Sequence, residues 1–465
     1  MEALALNALW VGPLLGGMVA LFLSRRLLLA WGLLQGFLFG LLWVYLYIEY
    51  RGSGLSYTRP WFSIDGFSFS YALSLRPTNF SLILLSILVV HAAFFYGYLY
   101  IPRPRAFSAL LFFTLAFVQG VFLAGDALLF FVFYEASLIP AFLLILGWGG
   151  SGRGGAAVRF ALFTLAGSVL LLVGLLWALL EGRDSSAMVW QKHPLSWGPW
   201  LLMTVGLAVK LPLVPLHSWL GEAHVEADSA ISMVLAGLLL KLGGFGLLEW
   251  VWYDLSSTQG LILRIWGALS LVYAMAVATG QRDLKRLVAF TSVAHMAFVA
   301  IGAGGGAAVG LQGAYHQLFT HGIVSAALFA WVGWVEKRAG SRSLRFVRGI
   351  FRGQVKEQLQ AALLFFGAIG VPGLALFVSE VLVIAGVGKG SGWGWALVPA
   401  ISLPLTGGYF LRAYQALTAR GSGVSLAPAM EYLPLEGVIW LLLLWSVGVG
   451  VYPQPWLALL GHVGS

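Results

Sequence analysis

Four ionisable side chains stand inside long apolar runs, where their chemistry is out of keeping with their neighbours. Glu135 lies in FVFYEASLIPAFLL, Lys210 in TVGLAVKLPLVPLH, Lys241 in ISMVLAGLLLKLGGFGLL and Glu380 in GAIGVPGLALFVSEVLVI. His217, His295, His316 and His321 fall in similar surroundings. At the middle of a bilayer such a group costs on the order of 2.5–3.5 kcal/mol on insertion scales, so it is rare unless it pairs or carries ions. Desolvation weakens an ammonium's hold on its proton, and a nearby carboxylate strengthens it. A lysine whose carboxylate partner approaches and withdraws is therefore a switchable proton-loading site, and histidines can relay between two such sites. On chemistry alone Glu135 is the natural partner of Lys210. A single buried charge is explained as glue between helices. Two lysines and two glutamates, each central to a different run, favour proton or ion movement over a purely structural scaffold.

The elements that position these groups must be membrane helices. Of 465 residues, 60% are hydrophobic and 10% charged, against about 45–50% and 25% in soluble chains, and mean hydropathy is +0.89. About 20 apolar residues cross a hydrocarbon core. That rule gives fourteen candidate spans: 3–23, 27–49, 80–100, 107–125, 127–147, 157–180, 198–220, 229–253, 261–280, 287–303, 311–335, 359–387, 393–418 and 434–460. No run alternates every second residue as a barrel strand would. The expected fold is an all-α polytopic membrane protein without a separate soluble domain. Residues 50–79 read as a loop with room for a short interfacial strand or helix, and Glu336 to Glu357 as a solvated basic loop.

Charge orients the chain. Of 27 Lys and Arg, eighteen fall in one set of alternate loops and seven in the other, which by the positive-inside bias places both termini outside. The formal charge of +9 then reflects these loops, and nucleic acid is not an expected partner. Glu2 ahead of the first apolar run, with Arg25 and Arg26 after it, does not suit a cleaved signal peptide. With no cysteine, the chain can hold no disulfide, thiolate zinc site or cysteine-ligated cluster. Redox chemistry served by it must sit on other subunits or on a bound organic group.

Two spans carry helix breakers at depth: Pro212 and Pro215 after Lys210, and Pro372-Gly373 before Glu380. Broken helix in a membrane is tolerated only where it is buried in protein or lines a wet cavity, and paired breaks mark inverted repeats. The breaks fall in spans seven and twelve, suggesting a five-helix repeat. The expected division is 1–106 for helices 1–3, 107–255 and 256–420 for the two repeats, and 421–465 for the last helix. His91 reads as a satisfied polar group in span three and His193 as a solvated loop residue. The glycines at 302–306 follow no strand and are not a phosphate cradle.

The segments FVFYEASLIP, VKLPLVPLHSWLGEAHVEA, LLLKLGGFGLL, SVAHMAF and QLFTHGIVSAALF resemble the antiporter-like subunits of respiratory complex I, over nearly the whole chain and in order. That resemblance implies a proton channel of two inverted five-helix repeats with broken helices seven and twelve. It implies that Glu135 and Lys210 are the glutamate–lysine pair of spans five and seven, Lys241 the central lysine, and Glu380 the exit group. It makes His295 and His321 relays toward Lys241. Glutamate at 380, and no long lateral helix after span fourteen, resemble the M or chain 4 type within the family. Two departures stand out: Glu226-Ala227-Asp228-Ser229 adds a carboxylate at the inner mouth, and Ser379 precedes Glu380 where glycine is frequent.

The implied function is a proton-translocating membrane-arm subunit of an NADH:quinone oxidoreductase in a bacterial-type plasma membrane, or a thylakoid or organelle membrane. This chain would hold no metal or cofactor; FMN, Fe–S clusters and quinone belong to partner subunits, and neighbouring antiporter-like subunits are its partners. The alternatives are an Mrp-type cation/H+ antiporter, which lysine at 380 would favour, and the equivalent subunit of a hydrogenase-, ferredoxin- or F420-linked or photosynthetic complex.

Overall fold

The computed structural model describes residues 2–64, 66–190, 194–252, 255–420, 432–461 and 463; Lys192 and His193 lie outside them. From the N-terminus, α1 (Glu2–Ala20) and α2 (Arg25–Tyr50) lead into an antiparallel hairpin, β1 (Leu55–Ile64) and β2 (Phe67–Leu75). Then follow α3 (Pro77–Tyr100), α4 (Pro104–Leu123), α5 (Ala127–Ala136), α6 (Leu138–Trp148), α7 (Arg153–Leu180) and the single turn α8 (Ala187–Trp190). Two half-helices come next, α9 (Trp197–Lys210) and α10 (Ser218–Glu226). After them α11 (Ser229–Val234) and α12 (Leu240–Gly246) join with π-helical turns at Leu235–Leu239 and Leu247–Val251 into one rod. The chain continues through α13 (Ser257–Gly280), α14 (Leu284–Ala303) and α15 (Ala308–Ala339). It ends with α16 (Val355–Ile369), α17 (Ala375–Ser391), α18 (Trp393–Thr418), α19 (Leu433–Val451) and α20 (Gln454–Leu459).

Among the described residues twelve helices are long and apolar enough to cross a membrane, counting α5 with α6, and α11 with α12, as one each. The expected spans seven and twelve are each interrupted, α9 from α10 and α16 from α17, at the sites of the predicted breakers. Pro140 explains the smaller interruption at Ser137, because it has no N–H to give the carbonyl four residues back. The expected last span is cut at Tyr452 and Pro453, leaving α20 as a separate turn.

Burial sorts the helices. The rod Ser229–Val251 and α15 are buried along their whole apolar stretches, and α14 and α3 nearly so, whereas only about a third of α1, α2 and α18 is buried. The outer helices turn residues such as Leu4, Leu27, Phe37, Ile48 and Leu397 outward, as a lipid-facing wall does. Inside, small residues let backbones touch, since lipid gives helices no hydrophobic reason to associate. A Cβ on Gly206 of α9 would meet the Gly167 carbonyl of α7 at 2.5 Å, and one on Gly386 of α17 would meet the Gly310 nitrogen of α15 at 2.1 Å.

The two ends of the molecule differ. On one, the hairpin is tied down through the Gly125 N–H to the Ala72 carbonyl at 2.8 Å and the Ser185 hydroxyl to the Ser68 carbonyl at 3.1 Å. On the other, the stretch expected as a solvated loop is a packed belt. Its first residues complete α15; Arg342 bonds Asp283 at 2.7 Å and Glu336 at 3.1 Å, Arg338 bonds Glu357 at 3.2 Å, and Val347 and Phe351 are fully buried. Ion pairing and three or four apolar anchors outweigh hydration of the arginines. We refer to the hairpin face and the basic face.

One backbone pattern occurs on both. On the hairpin face the Ala127 N–H bonds the Ser185 carbonyl (2.8 Å) and the Ala187 N–H the Gly125 carbonyl (2.9 Å). On the basic face the Leu284 N–H bonds the Arg342 carbonyl (3.1 Å) and the Leu344 N–H the Arg282 carbonyl (2.8 Å). Each residue of the second set is 157 positions beyond its counterpart. Asp126 and Asp283, at the same place in the two sets, cap α5 and α14.

The two caps should not be equal. Wholly buried Asp126 accepts from the N–H groups of Leu128, Leu129 and Ser70 and from the Ser185 hydroxyl. Partly exposed Asp283 accepts from the Arg286 N–H and the Arg342 guanidinium. Asp126→Ala is expected to cost about 3 kcal/mol through stranded donors and Asp283→Ala about 1 kcal/mol as a lost cap. Thermal unfolding of the detergent-purified protein, followed by tryptophan fluorescence, should show the larger drop for Asp126→Ala.

Candidate functional site

The centre of the molecule is Lys241, on α12 between the two π-helical turns. π-turns recur at functional sites because they displace carbonyls from the regular ladder. Here the Lys241 ammonium donates to the Ala236 carbonyl inside the first turn and lies 2.6 Å from His321 Nδ1 on α15. Both side chains are sealed from the surface. The His321 ring stands 5.4 Å, centroid to centroid, from that of His295 on α14, inclined at 70°. His295 Nε2 is in turn 3.7 Å from Glu380 Oε1 on α17. Four groups from four elements thus form one buried line, Lys241, His321, His295, Glu380. The resemblance implied histidines leading toward Lys241; the structure puts them between Lys241 and Glu380, because α14 and α15 pass between the rod and α17.

A polar scaffold fixes that line. The Gln317 amide donates to the His295 carbonyl (3.2 Å), the Ser379 hydroxyl bonds Gln317 Oε1 (2.5 Å), and Ser379 and Thr320 hydroxyls are 3.0 Å apart. A glycine at 379 could make neither side-chain bond, so this departure joins α17 to α15. The break before α17 makes room for the carboxylate. Gly370 has φ +77°, which favours glycine, and a Cβ there would lie 2.2 Å from Glu380 Oε2.

Lys210 ends α9. Its ammonium donates to the Tyr134 carbonyl at 2.9 Å and sits 3.4 Å from the centroid of the Tyr134 ring. The break after it is closed by protein: the Trp219 indole donates to the Val209 carbonyl at 3.0 Å and the Leu213 N–H to the Ala208 carbonyl at 2.9 Å. Glu135 and Lys210, the expected pair, do not form an ion pair. The lysine is held by the backbone and ring of the preceding residue, and Glu135 Oε1 is buried without a partner.

The remaining expected groups lie apart from the line. His217 precedes α10, with its ring near Tyr273 and Phe290. His316 is buried on α15 beside Phe319, and His91 Nδ1 is 2.7 Å from the Ile87 carbonyl. At the basic mouth Glu226 accepts from the Gly152 N–H (2.8 Å), and Asp228 caps α11 (2.9 Å to the Ala230 N–H) while facing Lys337 at 4.0 Å. The extra carboxylate, Asp228, therefore caps one helix and faces a lysine of another.

Two buried groups escape a reading by sequence. His224 on α10 is fully buried, stacked at 4.4 Å on Phe329, with neither ring nitrogen bonded; it stood unremarked inside SWLGEAHVEA. Glu249, in the second π-turn, pairs with Arg76 at 2.7 Å; an acidic residue eight positions after Lys241 in an apolar run was the available signal. Among the described residues no group of three or more His, Cys, Asp or Glu is placed to hold a metal ion.

The family described as NADH:quinone oxidoreductase/Mrp antiporter, TM, matches residues 124–406. The chain is 34% identical over 445 residues to NAD(P)H-quinone oxidoreductase chain 4 1 of Synechococcus sp. (strain JA-3-3Ab), covering 90% of this chain and 83% of that one. It is 34% identical over 373 residues to the chloroplastic NAD(P)H-quinone oxidoreductase chain 4 of Huperzia lucidula, covering 76% and 74%. Among solved structures it is similar to a chain of respiratory complex I from Thermus thermophilus with bound NADH, with TM-score 0.85 and 30% identity over 99% of this chain and 98% of that one. A chain of the Mrp complex from Dietzia sp. DQ12-45-1b superposes with TM-score 0.87 over 98% and 96% at 18% identity, a likeness of fold.

The Gly370 geometry yields a test. Gly370→Ala places a methyl in the space of the Glu380 carboxylate and strains a left-handed backbone by about 1 kcal/mol. Expected are a protein that still folds and a proton flux lowered as in Glu380→Ala, read in vesicles. Wild-type flux would mean that Glu380 needs no defined position.

Proposed function

The chain belongs to the NADH:quinone oxidoreductase/Mrp antiporter transmembrane family, and from that premise we propose that it is a proton-translocating membrane-arm subunit, of the M or chain 4 type, in an NADH:quinone oxidoreductase. The observation that carries the reading is the buried line from Lys241 through His321 and His295 to Glu380. A lysine, two imidazoles and a carboxyl group can each take up and give up a proton, and nothing else in the fold accounts for aligning them where charge is expensive.

In this reading Lys210 loads and Lys241 passes on. The Tyr134 carbonyl and ring hold the Lys210 ammonium beside Glu135. A shift that brings the Glu135 carboxylate onto the ammonium favours the protonated lysine, and withdrawal releases the proton. Electron transfer in partner subunits, which carry FMN, Fe–S clusters and quinone, supplies the field that moves the pair. The proton passes to Lys241, then by His321 and His295 to Glu380.

The same proposal covers the frame. Each half-helix pair, α9 with α10 and α16 with α17, makes one crossing, bringing the total to fourteen. Residues 107–255 and 256–420 are inverted repeats, a division supported by the matched backbone bonds 157 residues apart on opposite faces. The basic face is cytoplasmic-side and both termini lie outside, which the belt's arginines favour. Neighbouring antiporter-like subunits cover the flank at Glu135.

Purification of the tagged chain from its native membrane should bring down flavin and iron–sulfur subunits. In that complex, reconstituted in liposomes, Lys210→Met, Glu135→Ala and Lys241→Ala are each expected to lower NADH-driven proton flux by about tenfold or more, the scale of a lost proton-transfer group. Full pumping by Glu135→Ala would sink the switch at Lys210. Small membrane partners with no redox subunit would point instead to an Mrp-type antiporter.

A further inference from the structure

The π-helical rod and α15 run antiparallel and touch twice through polar side chains. The first contact is Lys241 with His321, at 2.6 Å. The second, nearer the hairpin face, is the Tyr315 hydroxyl donating to Glu249 Oε1 at 3.0 Å. Glu249 is eight residues beyond Lys241 and Tyr315 six residues from His321, so the two contacts are about 9–12 Å apart at 1.5 Å per residue. Each contact lies at a π-turn of the rod: Lys241 bonds a carbonyl of the first, and Glu249 belongs to the second.

Glu249 is 2% exposed yet stands at the floor of an opening. A cavity of about 990 Å³ on the hairpin face is lined by Arg76, Glu249, Trp252, Arg264, Tyr315 and Ser391, among others. The carboxylate also accepts from the Thr78 hydroxyl at 2.9 Å and meets Arg76 at 2.7 Å. A buried ion pair is a poor source of stability, and apolar replacements are often neutral. A staple between α3 and the rod therefore has little need of these groups. A carboxylate between a cavity and a buried lysine–histidine contact on the same two helices has a chemical use.

We propose that Glu249, held by Arg76, Thr78 and Tyr315 at the floor of the hairpin-face cavity, is a second proton-release site fed from the Lys241–His321 contact, alongside the branch through His295 to Glu380. The proton leaves Lys241 or His321, crosses the roughly 9–12 Å between the two contacts by a transient chain of hydrogen-bonded waters, and protonates Glu249. It then passes to solvent in the cavity, restoring the carboxylate and its pairing with Arg76. This inference rests on the proton-channel reading above.

The test uses the intact complex in liposomes and measures the initial rate of NADH-driven proton uptake per complex. Lys241→Ala sets the level with this channel closed. Glu380→Gln is expected to keep a part of the flux above that level, and Glu380→Gln combined with Arg76→Met/Glu249→Met to lose it. Glu249→Asp in the Glu380→Gln background should retain it, which a requirement for packing at the glutamate's length would not allow. The site is overturned if the combined variant pumps as well as Glu380→Gln alone, or if Glu380→Gln already pumps at the Lys241→Ala level. Should the combined variant fail to assemble, Glu380→Gln/Tyr315→Phe removes only the hydroxyl that donates to Glu249. A fall to the Lys241→Ala level supports the site, and flux equal to Glu380→Gln overturns it. Wild-type flux in Lys241→Ala would sink the channel itself, a different failure.

Discussion

An ammonium group 2.6 Å from an imidazole, with neither reaching the surface, is the constraint around which the rest of the molecule is arranged. Neither side chain is tolerable in hydrocarbon, so both helices that carry them must be sheathed by other helices. That is why the rod Ser229–Val251 and α15 are buried throughout while α1, α2 and α18 face outward. Sheathing alone is insufficient, because a regular helix spends all its carbonyls on itself. The π-turn at Leu235–Leu239 frees a carbonyl for Lys241. The same need recurs at Lys210, which takes the Tyr134 carbonyl where α5 is interrupted. In both places a local departure from helical geometry supplies the acceptor that water would have supplied.

Much of this was legible from residue types. Mid-run Lys210, Lys241 and Glu380, with breakers beside two of them, pointed to a buried polar path and to broken helices seven and twelve, and the half-helices lie at those breakers. Helix existence follows from apolar length, a signal that needs no tertiary information. What a linear reading could not supply was order and contact. His295 and His321 were recognisable, but only the packing of α14 and α15 between the rod and α17 sets them beyond Lys241. Only the fold brings Arg76, 173 positions away in sequence, against Glu249. The basic belt was misjudged for a related reason: its charge was visible, but its buried anchors Val347 and Phe351 are too sparse to signal packing.

The separation of Glu135 from Lys210 bears on how such a device would work. A permanent ion pair would hold the lysine in one protonation state and give a driving subunit nothing to change. The geometry is a lysine fixed by a carbonyl and a ring, while Oε1 of the adjoining Glu135 is buried without a hydrogen-bond partner. The stationary partners set the lysine's position, so only the carboxylate need move. The interruption at Ser137, where the hydroxyl also bonds the Tyr134 carbonyl at 2.7 Å, gives that segment a joint.

The matched bonds at Ala127/Ser185 and Leu284/Arg342 carry a last consequence. They lie on opposite faces, and each sits beside an aspartate that caps a helix, Asp126 on α5 and Asp283 on α14. Their surroundings differ. Asp126 is buried under the hairpin and bonded by neutral donors, whereas Asp283 is met by Arg342 within the basic belt. The same backbone pattern is thus set in neutral, buried surroundings at one end and in ionic surroundings at the other. Ionic pairing is screened by salt and responds to neighbouring charge, while the neutral, buried surroundings do not. The face whose aspartate is held by an arginine is therefore the one whose packing answers to salt and to charge on its neighbours.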